Sequence, residues 1–205
     1  MNKCHFEIKE NAQTPVNSKD VLFVRTDTNK DVTSLAMIVD DAGALAWGDS
    51  FKQEMKEAAL NSHELLPDIV FKTTKKIIEK EGVLPTSVPS FLISRISNGM
   101  FEAFAFGNCG MVVHYQDGVV ETYEGQKQAD MKFPKVAMIS RDRRRNLSTY
   151  TNSSIWSLTA RVEAVQSVAL LPASDENEPA RPVHRIALSK RTALLLDLVD
   201  ERQHD

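Results

Sequence analysis

Short apolar runs alternate with polar turns in the N-terminal part of the chain. Asp20–Thr26, DVLFVRT, and Val32–Asp40, VTSLAMIVD, are rich in β-branched and aromatic residues, a composition typical of strands. The segment between them, DTNKD, consists of turn-forming polar residues. We therefore predict that the two strands form an antiparallel hairpin.

The apolar spacing becomes helical after this hairpin. In residues 49–61 and again in residues 64–80, apolar side chains recur at every third or fourth position. Pro67 suits the first turn of the second helix, and Gly82 is a typical helix stop. Two successive helices are predicted. Asp49 stands at the start of the first, where a carboxylate caps free N–H groups and meets the helix dipole favourably.

Four further β-rich runs lie between Ser90 and Glu124. They are separated by Asn98-Gly99, by the GNCG sequence and by Asp117-Gly118. Asn-Gly and Asp-Gly are the favoured residues of two-residue hairpin turns. This segment is predicted to be a meander of four antiparallel strands.

The C-terminal third has a less decisive pattern. Residues 155–171, IWSLTARVEAVQSVALL, suit either strand or helix, and Pro172–Pro182 has the composition of an exposed loop. The sequence SKRTALLLDLVDE near the C-terminus suits either a strand followed by a loop or an amphipathic helix capped by Ser189.

The order of elements predicts an α+β fold. Strands that are too numerous for one half-exposed sheet would be buried best in two antiparallel sheets packed face to face with helices outside, a four-layer αββα sandwich. We expect residues 1–205 to form one domain.

Composition narrows the classes of function. The chain is 42% hydrophobic and 26% charged with a net charge of -3, which favours a soluble protein without a nucleic-acid or membrane partner. Two cysteines and no N-terminal apolar segment favour a reducing cytoplasm. The scattered histidines and the lack of a C-x-x-C motif argue against a Cys/His zinc cluster. The basic run Arg141–Arg145, interrupted by Asp142, is interpreted as a solvated face.

Two aspartates occupy the ends of the predicted hairpin. Asp20 begins the first strand and Asp40 ends the second, so antiparallel pairing would bring them together. Carboxylates at rigid strand ends are suitable ligands for Mg²⁺ or Mn²⁺. Ordinary solvated strand-end aspartates would give the same pattern, and the residues alone leave both interpretations open.

With these residues in place, the chain from Asn17 onward resembles the metal-dependent protein phosphatases of type 2C, the PPM family, in a compact bacterial-type form. NSKDVLFV places Asp20 at the Asp of the family's opening motif, and DDAGAL places Asp40 at the family's Asp-Gly. AFGNCGMVVHYQDGVVETY is the best single match. TALLLDLVDE resembles the C-terminal motif, with Asp200 or Asp197 as its Asp.

The resemblance implies a fold, an activity and a set of ligands. It implies an αββα phosphatase fold that hydrolyses phosphoserine or phosphothreonine in protein substrates with a metal-bound water. The cofactor would be two Mg²⁺ or Mn²⁺ ions. The implied metal ligands are Asp20, Asp40, Asp41 and Asp200, with Asp20 and Asp40 as the catalytic pair.

The sequence also departs from the family pattern. Asp41 replaces the glycine of Asp-Gly, Asn108 replaces an aspartate, and no further metal-binding aspartate follows Asp200. We therefore expect weak turnover or none. A diverged domain that binds a phosphorylated protein without hydrolysing it, or a domain lacking the C-terminal metal-binding segment, is the alternative.

A third hypothesis is an N-terminal nucleophile hydrolase, since residues 33–49 also resemble the first hairpin of proteasome-type subunits. It requires cleavage before Thr33, whose hydroxyl would become the nucleophile. Cys109 is expected to be a buried small residue, and His114 a strand residue without a catalytic role.

Overall fold

Twelve strands and two α-helices make up the part of the chain that the structure, a computed structural model, describes: residues 4–9, 21–26, 31–39, 46–107, 109–124, 140–142, 147–152, 155–171 and 194–200. The strands are β1 (Cys4–Ile8), β2 (Val21–Arg25), β3 (Val32–Val39), β4 (Phe91–Ser97), β5 (Met100–Phe106), β6 (Gly110–Tyr115), β7 (Val120–Glu124), β8 (Ser140–Asp142), β9 (Leu147–Asn152), β10 (Ile155–Arg161), β11 (Val165–Leu171) and β12 (Leu194–Asp200). The helices are α1 (Gly48–Asn61) and α2 (Leu66–Glu81).

The strands form two antiparallel sheets. One has five strands in the order β1-β12-β11-β6-β7, and the other has seven in the order β2-β3-β4-β5-β10-β9-β8. An apolar core that draws on both sheets, including Phe6, Val113 and Leu92, lies between them. A second core joins Phe51 of α1 and Val70 of α2 to the other face of the seven-stranded sheet. The predicted α+β fold with face-to-face sheets and outer helices is confirmed, and in the described segments the helices pack on the outer face of the seven-stranded sheet.

The predicted N-terminal hairpin and helix pair are confirmed. β2 pairs antiparallel with β3, and α1 and α2 follow in succession. Pro67 lies in the first turn of α2. Gly82 caps that helix in the left-handed conformation, with φ 63°, and its N–H donates to the carbonyl of Ile78. Neither α1 nor α2, the helices of the described segments, has the length and apolarity needed to cross a membrane.

The predicted four-strand meander is wrong in its pairing. All four strands exist, but β4 and β5 belong to the seven-stranded sheet while β6 and β7 belong to the five-stranded one. The chain changes sheets after Phe106. β5 then pairs with β10, and β6 pairs with β11, which are partners distant in sequence.

The two hairpin turns also differ. Asn98 and Gly99 both have positive φ, 51° and 74°, so they form the predicted two-residue turn. The Asp117-Gly118 turn is instead a three-residue loop, because the N–H of Tyr115 bonds the carbonyl of Val119. Gly118, with φ 81°, donates to the carbonyl of Tyr115 and closes a bulge.

The ambiguous C-terminal segments are strands. Residues 155–171 form β10 and β11, joined by a short 3₁₀ turn at Val162–Ala164. Leu194–Asp200 is β12, so the predicted strand is confirmed there and the amphipathic-helix interpretation is wrong. Ser189 and the predicted loop Pro172–Pro182 lie outside the described residues.

Candidate metal centre

The register of β2 and β3 brings the start of one strand beside the end of the other. Val21 pairs with Ile38, and Arg25 pairs with Ser34. In sequence, Asp20 directly precedes Val21 and Asp40 directly follows Val39. Asp20, Asp40 and Asp41 themselves lie outside the described residues. The pairing on which the metal site was predicted is therefore confirmed, and the ligand roles stay a prediction.

Helix α1 begins at this same end of the sandwich. Val39 pairs with Phe91, Phe91 with Phe106, and Phe106 with Ile155, which defines the Val39 end of the molecule. The ring of Phe51 in α1 lies 5.1 Å from that of Phe91. The first turn of α1, with the positive end of its dipole, is thus held at the Val39 end.

Asp49 lies in the first turn of α1 but is not its N-cap residue. That residue is Trp47, which makes no side-chain capping hydrogen bond. The side chain of Asp49 is 97% exposed and forms an ion pair of 3.0 Å with Lys52. The predicted favourable position relative to the dipole is confirmed, and the predicted N-cap role is wrong because the helix begins at Gly48.

Asp200 lies at the opposite end of the sandwich. It pairs with Cys4 across β12 and β1, and the carbonyl of Cys4 accepts a hydrogen bond of 2.7 Å from the hydroxyl of Thr33. Thr33 is near the start of β3. A strand rises about 3.3 Å per residue, so Thr33 and Val39 are roughly 20 Å apart.

The direction of β12 supports this placement. Its first residue, Leu194, pairs with Leu170, next to the Leu171–Gly110 pair. Gly110 follows Cys109, whose carbonyl accepts a hydrogen bond of 3.4 Å from Trp156, and Trp156 follows Ile155 at the Val39 end. β12 therefore runs away from the Val39 end, and its register does not favour Asp200 as a ligand beside Asp40.

Cys109 and His114, the other single residues considered from sequence, occupy positions that fit a role in the structure of the sheet. Cys109 is buried in the core between the sheets. His114 pairs with Val120 and Ser167, and it alternates with Val113 and Tyr115, which face that core. His114 therefore faces the other side of the sheet and does not meet Cys109. Of the basic run Arg141–Arg145, only the backbone of β8 is described, and Asn108 lies outside the described residues.

Two tyrosines and a glutamate form a titratable cluster on β6 and β7. The hydroxyl of Tyr115 donates to Glu121 at 3.2 Å, and the hydroxyl of Tyr123 donates to the same carboxylate oxygen. Burial raises the pKa of Tyr123 above its ordinary value, and the hydrogen bond to Glu121 adds to the rise.

No group of three or more Asp, Glu, His or Cys residues in the described ranges is arranged to hold a metal ion.

Sequence reasoning missed one charged pair, Arg95 and Glu102. They face each other across β4 and β5, their side chains are 1% and 4% exposed, and Arg95 Nε donates to Glu102 Oε2 at 2.6 Å. The signal was available. The two-residue turn at Asn98-Gly99 fixes the register, and that register places residue 95 opposite residue 102.

Comparison with solved structures identifies the fold. The chain is similar to the crystal structure of a bacterial serine phosphatase carrying a point mutation, with a TM-score of 0.52 and 9% identity over 98% of this chain and 99% of that one. It is also similar to PppA, a key regulatory component of T6SS in Pseudomonas aeruginosa, with a TM-score of 0.50 and 10% identity over 96% and 98% of the two chains.

Sequence comparison adds nothing to this, because no family model and no curated protein matches the chain. At such low identity the structural likeness shows the fold alone. That fold is the type 2C-like serine phosphatase fold, and the resemblance predicted from sequence is confirmed at this level.

Proposed function

We propose that the protein is a slow, metal-dependent phosphatase that acts on phosphoserine or phosphothreonine in proteins. The observation that carries the proposal is the β2–β3 register, in which Val21 pairs with Ile38 and the two strand ends flanked by Asp20 and Asp40 coincide. The type 2C-like fold supports the reaction class, since it is shared with a bacterial serine phosphatase.

The residue types at this end suit Mg²⁺ or Mn²⁺. Asp20, Asp40 and Asp41 offer hard carboxylate oxygens, the ligands that both ions prefer. Asp20 and Asp40 would hold the ion from two neighbouring strands, which limits their relative movement. An ion bound there supplies Lewis-acid chemistry by lowering the pKa of water and neutralising phosphate charge. The first turn of α1 lies at the same end and adds positive potential toward an anionic substrate.

Slow turnover follows from two departures from the family's set of ligands. Asp41 stands where the resembling family has glycine, and Asp200 lies toward the Thr33 end instead of the Val39 end. A site with fewer correctly placed carboxylates would bind one ion better than two. The placement of Asp200 also favours the alternative function, a domain that binds a phosphorylated protein without hydrolysing it.

The N-terminal nucleophile hypothesis gains no support. Thr33 is 5% exposed, lies within the hydrogen-bonded strand β3, and donates its hydroxyl to the carbonyl of Cys4. Its carbonyl accepts a hydrogen bond from the N–H of Thr26 in the same hairpin. Cleavage before Thr33 would cut the chain that connects the paired strands β2 and β3.

One assay separates these functions. Phosphate release from p-nitrophenyl phosphate and from a phosphothreonine peptide is measured with and without Mn²⁺, beside the intact mass of the protein. We expect slow, Mn²⁺-dependent release that falls by at least about tenfold in Asp40→Asn and is unchanged in the control Asp68→Asn, which alters an exposed carboxylate of α2. Peptide binding without any turnover would support the binding domain instead. Phosphate release that does not depend on Mn²⁺ and is unaffected by Asp40→Asn would overturn the proposal. An intact mass that corresponds to a chain starting at Thr33 would also overturn it.

A further inference from the structure

The Arg95–Glu102 pair lies beneath the point where α1 ends and α2 begins. Both residues belong to the face of the seven-stranded sheet that carries the helices, and Arg95 is the largest fully buried side chain of the described residues. The guanidinium meets the carboxylate at 2.6 Å. A buried charge pair is costly to desolvate unless its remaining donors and acceptors are also satisfied.

The remaining hydrogen bonds of the pair are made with the backbone of the helix junction. Arg95 Nη1 donates to the carbonyls of Ala59 at 2.9 Å and Ser62 at 3.0 Å, and Nη2 donates to the carbonyl of Glu64. The other oxygen of Glu102 accepts the N–H of Leu66 at 3.1 Å, at the first residue of α2. One side-chain pair thus binds the end of α1, the connecting residues and the start of α2.

Helix ends need such partners because their outermost N–H and C=O groups have none within the helix. Leu65, the N-cap residue of α2, makes no side-chain capping bond, and the last turn of α1 contains no basic residue. The Arg95–Glu102 pair supplies from the sheet what local capping does not. The apolar contacts of Phe51 and Ile77 lie farther along the helices and do not replace these bonds.

We propose that Arg95 and Glu102 form a latch that holds the helix junction, residues 59–66, closed on the sheet. Breaking the latch opens this junction locally while the sandwich and the outer turns of both helices stay folded. The latch thus fixes the position of the junction on the sheet and contributes little to the free energy of global unfolding. It does not depend on the proposed phosphatase activity.

The test uses two single variants, Arg95→Met and Glu102→Gln, and the double variant Arg95→Met/Glu102→Leu, which leaves no buried charge unpaired. Amide hydrogen exchange of Ile69, whose N–H donates to the carbonyl of Leu65 at 3.2 Å and not to the pair itself, is followed by NMR in the native state and compared with Phe104 in the central strand β5. The matched control is Glu54→Gln, which removes an ionic link between the carboxylate of α1 and two exposed lysines of α2.

We expect Ile69 to exchange at least about tenfold faster in the double variant while Phe104 keeps its protection. The control should accelerate both amides by the same factor, no more than about fivefold. Equal acceleration of Ile69 and Phe104 in the double variant would overturn the proposal, because the pair would then support the whole fold. Failure of the double variant to fold would overturn it for the same reason, and so would full retention of Ile69 protection.

Discussion

At the scale of single residues, Gly107 and Gly118 show how a similar backbone conformation can have different causes. Their φ values are 86° and 81°, in the left-handed region that favours glycine. A Cβ on Gly118 would meet nothing within 4 Å, whereas one on Gly107 would lie 2.6 Å from the Cβ of Ser90. Gly107 is therefore required for close packing as well as for its φ.

This difference predicts unequal costs of substitution. Gly118→Ala should lower the free energy of unfolding by about 1–2 kcal/mol through its φ alone. Gly107→Ala should cost about 1–3 kcal/mol more because of overpacking against Ser90. Chemical denaturation measures both. Adding Ser90→Gly to Gly107→Ala should recover part of the loss, and equal costs at the two glycines would contradict the packing argument.

Ser34 and Ser94 are both fully buried, but their hydroxyl groups differ in whether they have a hydrogen-bond partner. The Oγ of Ser34 accepts the N–H of Phe6 at 2.9 Å and so links β1 to β3. The Oγ of Ser94 has no partner among the described residues. A lost partner leaves a buried donor unsatisfied, whereas removal of an unsatisfied hydroxyl costs little.

Ser34→Ala should therefore destabilise the protein by about 1–3 kcal/mol, and Ser94→Ala should be neutral or stabilising. Thermal and urea unfolding of the two variants provide the comparison. A loss at Ser94 as large as that at Ser34 would contradict this explanation, because the unpartnered hydroxyl would then contribute as much as the one that accepts the N–H of Phe6.

At the scale of elements, α1 and α2 are joined by Glu54, whose side chain is 17% exposed. Its carboxylate lies 2.6 Å from the amine of Lys80 and 3.2 Å from that of Lys76. The hydrogen bond from Lys80 holds the pKa of Glu54 below its ordinary value, and Lys76 contributes in the same direction. A carboxyl whose pKa is lowered on folding stabilises the protein above its unfolded pKa, and this stabilisation is lost as the pH falls through the folded pKa.

Glu54→Gln should accordingly lower stability at pH 7 by a few tenths of a kcal/mol to about 1 kcal/mol. The difference from the unsubstituted protein should shrink as the pH falls below the lowered pKa of Glu54, since both proteins then carry a neutral group there. Urea midpoints measured from neutral to acidic pH check this. A difference that stays constant with pH would mean that charge is not the cause.

Some secondary-structure elements could be predicted from local sequence patterns, and others could not. Local periodicity predicted α1, α2 and the β2–β3 hairpin, because each depends on contacts between near neighbours in sequence. The meander failed because β5 and β6 pair with β10 and β11, and no local pattern encodes those distant partners. The predicted turn at Asp117-Gly118 was one residue too short. Gly118 provides the positive φ that either turn type requires, so its presence did not distinguish between them.

At the scale of the whole molecule, the fold could be predicted and the complete site could not. The hairpin pattern was enough to bring together the strand ends beside Asp20 and Asp40. The position of Asp200 depends on the direction of β12, which is set by pairing with β1 and β11. The apolar pattern of β12 would be the same whichever way the strand ran in the sheet. It therefore did not predict that Asp200 lies toward the Thr33 end.

The most direct test of the central claim locates a bound ion. Mn²⁺ is titrated into the ¹⁵N-labelled protein, and paramagnetic broadening of backbone amides is recorded. We expect the strongest broadening at Val21, Val39 and Gly48 and clearly weaker broadening at Thr33, which lies roughly 20 Å from Val39 along β3. Asp40→Asn should abolish the broadening, and Asp49→Asn should not. Broadening centred on the Thr33 end, or none at any Mn²⁺ concentration, would contradict the proposed metal site.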